Sequence, residues 1–158
     1  MKKIALILAL IYYSIGTAQT KQDLIMQFID EHIGEKVGNG VCSTLVSEAY
    51  KFAGFEDPYN RKNRHSSCYC KYGDEIPRDS VVSGDIFYVV YTDSLTNKFI
   101  NAHIGFVYGV SDSNISIANQ NYGVNKLKHS KVEIVVWSDM VEKQLGVEQK
   151  IYFFHKNG

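Results

Sequence analysis

The spacing of the apolar residues changes partway along this 158-residue chain, and that change constrains the fold most. Helical spacing runs from Lys21 to about Glu35 and again from Cys42 to Gly54, where the glycine suits a helix C-cap. From Ile86 onward, short apolar runs bounded by turn residues indicate strands. The predicted later elements are strands at Ile86–Tyr91, Phe99–Tyr108, Asn114–Asn121, Val132–Trp137 and Ile151–Phe154, with a short helix at Ser138–Leu145. Helices followed by an antiparallel sheet make an α+β arrangement.

The first 18 residues have the pattern of a secretory signal peptide. Lys2 and Lys3 precede the apolar run Ile4–Tyr13, and the small residues Gly16–Ala18 provide a cleavage site. The apolar run is short for a membrane span, so we expect an exported, secreted or periplasmic protein with no stable membrane insertion after cleavage. Removing 18 residues leaves 140, which is enough for a single domain at 19–158.

The charge balance argues against a nucleic-acid partner. Because Lys2 and Lys3 leave with the signal peptide, 15 basic residues remain against 17 acidic ones. Nucleic-acid binders usually carry a strong basic excess. The charge therefore favours other classes of partner.

The chain has three cysteines, Cys42, Cys68 and Cys70, an odd number for an exported protein. A Cys68–Cys70 disulfide would close a very tight and strained ring. Two free thiols, or a disulfide with another chain, are equal alternatives. A zinc site would use His65 with Cys68 and Cys70, but the spacing lacks the paired ligands of structural zinc sites. We expect no metal and no cofactor.

Cys42 is the candidate nucleophile. It follows the flexible Gly38–Gly40 turn and falls in the first turn of a predicted buried helix. The N–H groups and the positive end of the helix dipole favour a thiolate there. A small buried apolar role is the alternative, as for most free cysteines.

His103 is the best candidate base, because it lies in a predicted strand with Gly105 two residues later. A hairpin with its tip near Ser111 would place His103 opposite Asn119, whose side chain would orient the imidazole. Gln120, next to Asn119 in the same strand, is expected to point away from His103. Other loop lengths would shift this pairing, so Asn121 is a second candidate. The alternative is a structural histidine, with amides that cap the strand end.

The segment 55–82 has no clear periodicity and is predicted to be a long loop. Long loops in compact domains are usually functional or mobile. Its aromatic residues Tyr69 and Tyr72, among basic neighbours, are candidates for a substrate groove, although a solvated surface loop is the ordinary reading of a charged run.

Several motifs together resemble the CHAP family, the cysteine, histidine-dependent amidohydrolases/peptidases of the papain-like superfamily. They are Cys42 after its Gly-rich turn, Ser83–Ile86, Ala102–Val107 and Ile117–Asn121. The resemblance covers most of the chain from about Gly34 to Phe154. It implies a papain-like α+β fold with N-terminal helices packed on an antiparallel sheet.

The resemblance also implies a hydrolase of amide bonds, commonly in peptidoglycan. Cys42 would attack, His103 would act as base and then acid, and Asn119 would orient it. Many relatives carry Glu at the position of Asn119 and Asn at that of Asn121, which leaves the division of labour between these two open. An oxyanion hole would use the Cys42 backbone N–H, with the Asn39 side chain as a second donor.

Three functions follow as hypotheses. The first is an exported peptidoglycan amidase or endopeptidase, and the second is a papain-like protease, deamidase or acyltransferase with another amide substrate. The third is an exported binding module without turnover. The catalytic residues are shared by the first two, so only product identity separates them.

Overall fold

The computed structural model describes residues 19–59, 69–112, 114–121, 130–136 and 147–157. The predicted signal peptide, the predicted helix Ser138–Leu145, and the residues Cys68 and His65 lie outside these ranges. Among the described residues, no helix is both long enough and apolar enough to cross a membrane.

Two α-helices form the N-terminal part: α1 is Lys21–His32 and α2 is Cys42–Phe52. A capping box starts α1, since the Thr20 hydroxyl accepts a hydrogen bond from the Asp23 N–H while the Asp23 carboxylate accepts one from the Thr20 N–H. Gly54, with φ of +72°, follows α2 in the left-handed conformation that often ends a helix. Both predicted helices are confirmed, with slightly earlier ends.

Six strands form one antiparallel sheet in the order β1-β6-β2-β3-β4-β5. Their bounds are β1 Asp74–Ile76, β2 Ile86–Asp93, β3 Phe99–Val110, β4 Ile115–Asn119, β5 Glu133–Val136 and β6 Val147–His155. All five predicted strands exist. The predicted long loop instead contains β1 and two short 3₁₀ turns, Tyr69–Tyr72 and Arg78–Ser80.

The predicted fold class, papain-like α+β with N-terminal helices packed on a sheet, is wrong. The described residues are dominated by the six-stranded antiparallel sheet, and they contain only two short helices, of 12 and 11 residues. The spacing of apolar residues predicts single helices and strands, but it does not predict how the described residues divide between helix and strand. The segment predicted as a loop adds β1 to the edge of the sheet by pairing with β6, which increases the strand content further.

The sheet is apolar on both faces. On one face Ile86, Ile104 and Phe106 join the core cluster that contains the buried residues of α1 and α2. On the other face Val89 and Val107 belong to a second cluster. Burial on both sides explains why the run Ile86–Tyr91 is apolar without alternation.

The predicted β3–β4 register is also wrong. Val107 lies opposite Ile117 and Val110 opposite Ile115, with an irregularity between Val107 and Gly109. The turn closes between Ser111 and Asn114, where the Ser111 N–H donates to the Asn114 carbonyl. The turn lies farther along the chain than predicted, so Phe106 and Val107 pair two positions later on β4 than expected, and Gly109 and Val110 pair three positions later.

Candidate functional site

Cys42 is the first residue of α2, half-buried and not in a disulfide. The turn before it bends through Gly38 and Gly40, whose φ angles of +56° and +85° favour glycine. Val41 then adopts an extended conformation and acts as the N-cap without a side-chain hydrogen bond. The Gly-rich turn therefore places Cys42 at the positive end of the helix dipole, as predicted.

Asn39 closes this turn. Its Oδ1 atom accepts a hydrogen bond from the Val41 N–H at 3.0 Å and lies 3.1 Å from the Thr44 hydroxyl oxygen. These contacts tie the turn to the first turn of α2. The oxyanion contact predicted for Asn39 would therefore fall to its Nδ2 group, since Oδ1 is an acceptor engaged within the turn.

His103 is buried in β3 directly opposite Val89. Burial lowers the pKa of its imidazole from 6.5 to about 4, against an opposing contribution from a hydrogen bond with Asn119. The ring is therefore neutral at pH 7 and holds a lone pair that can accept a proton. A general base must be unprotonated, and the lowered pKa also makes this imidazole a weaker base than a free histidine.

Asn119 is the last residue of β4 and is buried. Its Nδ2 group donates to the Glu133 carbonyl of β5 at 3.4 Å, and its side chain also hydrogen-bonds to His103. Gly105 leaves the space for this arrangement, because a Cβ atom there would lie 2.5 Å from the Ala118 carbonyl oxygen and 3.1 Å from the Asn119 Cβ. The structure thus brings His103 and Asn119 together.

Asn121 lies two residues beyond Asn119, is partly exposed and has a φ angle of +60°. Asparagine tolerates this left-handed conformation better than most residues. If the register of Phe106 with Ala118 continued past the end of β4, Asn121 would lie opposite His103. Its predicted role beside the imidazole stays a prediction.

Gln120, which sequence reasoning only expected to point away from His103, joins this strand end to α2. It is 1% exposed, and its Nε2 atom lies 2.7 Å from the Val41 carbonyl oxygen and 3.0 Å from that of Val37. Its position between two asparagines contains a usable signal: the alternation that directs Asn119 to one face directs Gln120 to the helix face. The buried backbone groups of the turn before α2 need hydrogen-bond partners, and Gln120 supplies them.

His103 and the helix that begins at Cys42 lie on opposite faces of β3. His103 lies on the face of Val89, while α2 packs on the face of Ile104. In the described strand pairs, β4 faces β3 only from Phe106 onward, so β4 ends before it reaches the level of His103. The N-terminal end of α2 is attached at that strand end through Gln120.

Tyr72, a predicted substrate-binding residue, is only 3% exposed. Its hydroxyl group lies 2.9 Å from that of Tyr59, and its carbonyl accepts a hydrogen bond from the Tyr50 hydroxyl at 2.9 Å. Little of the ring is therefore accessible to a substrate. Tyr69 begins the 3₁₀ turn Tyr69–Tyr72, but its side chain is outside the described part of the structure, so its predicted role stays a prediction.

Tyr59 was not predicted to belong to the site, yet it is electrostatically coupled to Cys42. Burial raises the pKa of its hydroxyl most, followed by Tyr72, and the negative charge of a Cys42 thiolate raises it further. The Lys71 ammonium lies 5.0 Å from the ring centroids of both Tyr59 and Tyr72. These three side chains form a mixed aromatic and cationic cluster, in which Tyr59 is the member that interacts with Cys42.

Within the described ranges, no group of three or more His, Cys, Asp or Glu residues is arranged to hold a metal ion. The alternative zinc site used Cys68 and His65, which lie outside those ranges, and Cys70, whose side chain is not described. That alternative stays untested.

Comparison with known proteins gives a likeness of fold. No family model matches the chain, and no curated protein matches it. The chain is similar to the crystal structure of Ly7917, with a TM-score of 0.50 and 19% sequence identity. The match covers 84% of this chain and 62% of that one, so the chain spans about three fifths of the length of Ly7917. At this identity the likeness concerns the fold alone, and membership of the CHAP family stays a prediction.

Proposed function

We propose that the protein is an exported cysteine amidohydrolase or endopeptidase that cleaves amide bonds of peptidoglycan. One observation supports it most: two consecutive residues connect the proposed base to the proposed nucleophile. Asn119 hydrogen-bonds to His103, and Gln120 hydrogen-bonds to the carbonyl of Val41, immediately before Cys42. The end of β4 thus links two residues that are 61 positions apart in the sequence.

In this proposal the Cys42 Sγ atom attacks the carbonyl carbon of the substrate amide, and neutral His103 takes the thiol proton. His103 returns that proton to the leaving amine as the C–N bond breaks, which leaves a thioester on Cys42. Water then attacks the thioester while His103 accepts a proton from it. The acid product leaves, and the thiol regains its proton.

The developing oxyanion would be met by the backbone N–H of Cys42. This N–H belongs to the first turn of α2 and lies at the positive end of the helix. Donors fixed before the reaction stabilise such charge without the cost of reorienting. Asn39 Nδ2, in the adjoining turn, is the second donor in this proposal.

The choice of peptidoglycan follows from the motif resemblance, since site geometry alone is equally compatible with another amide. A protease, deamidase or acyltransferase would use the same three residues. A binding module without turnover is the second candidate. The observation that favours it is that His103 lies on the face of β3 opposite the one on which α2 packs.

The test is mass spectrometry of soluble products after the purified mature protein is incubated with peptidoglycan. Cys42→Ala and His103→Ala are expected to abolish product formation, because one removes the nucleophile and the other removes the base. His155→Ala is the matched control, since it removes a histidine outside the site. New muropeptides from the wild type and the control alone would support the proposal.

Products that persist in Cys42→Ala or His103→Ala would contradict the assignment. If no wall type yields products but Cys42 is alkylated well below the pH at which an ordinary thiol reacts, the substrate is a different amide. If Cys42 is also inert, the binding module is the better account.

A further inference from the structure

The hydrogen bonds of the buried Gln120 amide go to the segment around Cys42. Its Nε2 atom lies 3.0 Å from the Val37 carbonyl oxygen, 2.7 Å from the Val41 carbonyl oxygen and 3.1 Å from the Thr44 hydroxyl. Its Oε1 atom accepts a hydrogen bond from the Val37 N–H at 3.2 Å. A buried glutamine amide needs hydrogen-bond partners, and here those partners lie at both ends of the turn that precedes α2.

These contacts fix the orientation of the peptide group that joins Val41 to Cys42. The peptide unit is planar and trans, so its carbonyl and its N–H point in opposite directions. Gln120 holds the Val41 carbonyl, together with the Thr44 N–H at 3.0 Å and the Thr44 hydroxyl at 2.7 Å. The Cys42 N–H must therefore point away from Gln120.

We propose that Gln120 is a positioning residue for Cys42: it anchors the first turn of α2 to the end of β4 and thereby orders the N–H groups that surround the thiol. The inference rests on the proposed function, because it concerns the reactivity of the same cysteine. It adds a residue that touches neither substrate nor thiol and acts through Val41 and Thr44.

The alternative is that Gln120 contributes only to global stability. The two accounts differ in a measurable way. A positioning residue changes the pH at which Cys42 becomes reactive, because loosening the first helical turn removes part of the stabilisation of a thiolate. Loss of global stability alone leaves that pH unchanged while the protein remains folded.

The experiment measures the rate of iodoacetamide labelling at Cys42 between pH 5 and pH 10, read from the Cys42 peptide by mass spectrometry so that Cys68 and Cys70 do not interfere. Gln120→Met keeps the length of the side chain and removes its hydrogen bonds. It is expected to raise the pH midpoint of labelling by about one unit, which is a roughly tenfold loss of thiolate at a pH below both midpoints.

A second pair of variants guards against a Gln120→Met protein that fails to fold. Thr44→Val removes the hydroxyl that contacts both Gln120 and Val41, whereas Thr44→Ser retains it. Thr44→Val is expected to raise the midpoint, and Thr44→Ser is expected to keep the wild-type value. Asp85→Asn serves as the stability control, because it weakens a buried contact with His155 in another part of the fold.

The outcomes separate the inference from the proposed function. A wild-type Cys42 that is inert, or that reacts only as an ordinary thiol, would contradict the proposed function whatever the variants do. An activated wild-type Cys42 with an unchanged midpoint in Gln120→Met and Thr44→Val would overturn the positioning role. An equal shift in Asp85→Asn would also overturn it, since global destabilisation would then explain the change.

Discussion

Asn119 hydrogen-bonds to the ring of His103 although the two residues are not directly opposite each other in the β3–β4 hairpin. Val107 lies opposite Ile117, so the same register places Gly105 opposite Asn119. The contact with His103 is therefore a diagonal one, to the next residue on the same face of β3. A diagonal contact is longer, and it depends on the space above the intervening glycine.

Gly105→Ala is expected to destabilise the fold and to separate Asn119 from His103. The added Cβ would lie 2.5 Å from the Ala118 carbonyl oxygen, so backbone must shift, at a cost of about 1 to 3 kcal/mol. Gly109→Ala is the matched control, because its Cβ would meet the Ser116 hydroxyl at 3.0 Å, and a side chain can rotate. Urea denaturation of both variants measures the difference. An equal loss in the two would contradict the steric argument.

The stability of the protein is expected to fall as the pH drops through the range from 6.5 to about 4. Burial lowers the pKa of His103 from 6.5 to about 4, so the unfolded chain binds a proton in this range that the folded protein does not. Unfolding is then favoured by about 1.4 kcal/mol for each pH unit of acidification, and about 3 kcal/mol in all. Denaturant unfolding at several pH values measures this slope.

Carboxylates also titrate near the lower end of this range, so the comparison that isolates His103 is with His103→Gln. This variant lacks the titrating ring and is expected to lose less stability on acidification than the wild type does. Parallel stability curves for the two proteins would show that His103 binds its proton equally well in the folded and unfolded states.

Asn119→Ala is expected to lower the pKa of His103 further. The hydrogen bond with Asn119 raises that pKa and so opposes the effect of burial, which its loss would leave less opposed. NMR titration of the His103 ring measures the change, and Asn121→Ala is the matched control. A larger effect from Asn121→Ala would assign the orienting role to Asn121 instead, which is the alternative that the sequence left open.

The Asp85 carboxylate is buried and is expected to be a structural anchor. It lies 2.7 Å from the His155 Nδ1 atom and accepts a hydrogen bond from the Val82 N–H at 2.8 Å. Asp85→Ala is expected to cost about 1 to 3 kcal/mol, because it removes the acceptor of the Val82 N–H as well as the partner of the His155 imidazole.

His155→Ala removes only one of these partners, so the loss in free energy of unfolding is expected to be smaller. Thermal or urea denaturation of the two single variants and the double variant measures both values and their coupling. A larger loss in His155→Ala than in Asp85→Ala would show that the Val82 contact contributes nothing.

Local patterns were enough to predict single elements. The capped helix after Thr20, the helix that starts at Cys42 and the buried strand at Ile86 each follow from the spacing of apolar residues and from turn residues nearby. The prediction of a loop around β1 is wrong, because a three-residue edge strand is too short to show an apolar period. Its strand conformation comes from pairing with β6.

Local sequence patterns were enough to place the candidate nucleophile and base in their elements: Cys42 at the start of a helix and His103 within a strand. The contacts of these two residues depend instead on how the chain packs. The turn between β3 and β4 set the register, so that Asn119 reaches His103 diagonally, and the end of β4 placed Gln120 against Val41. Apolar periodicity is a property of neighbouring residues, whereas register and buried hydrogen bonds depend on how distant segments pack. For that reason the sequence alone identified Gln120 only as a residue facing away from His103.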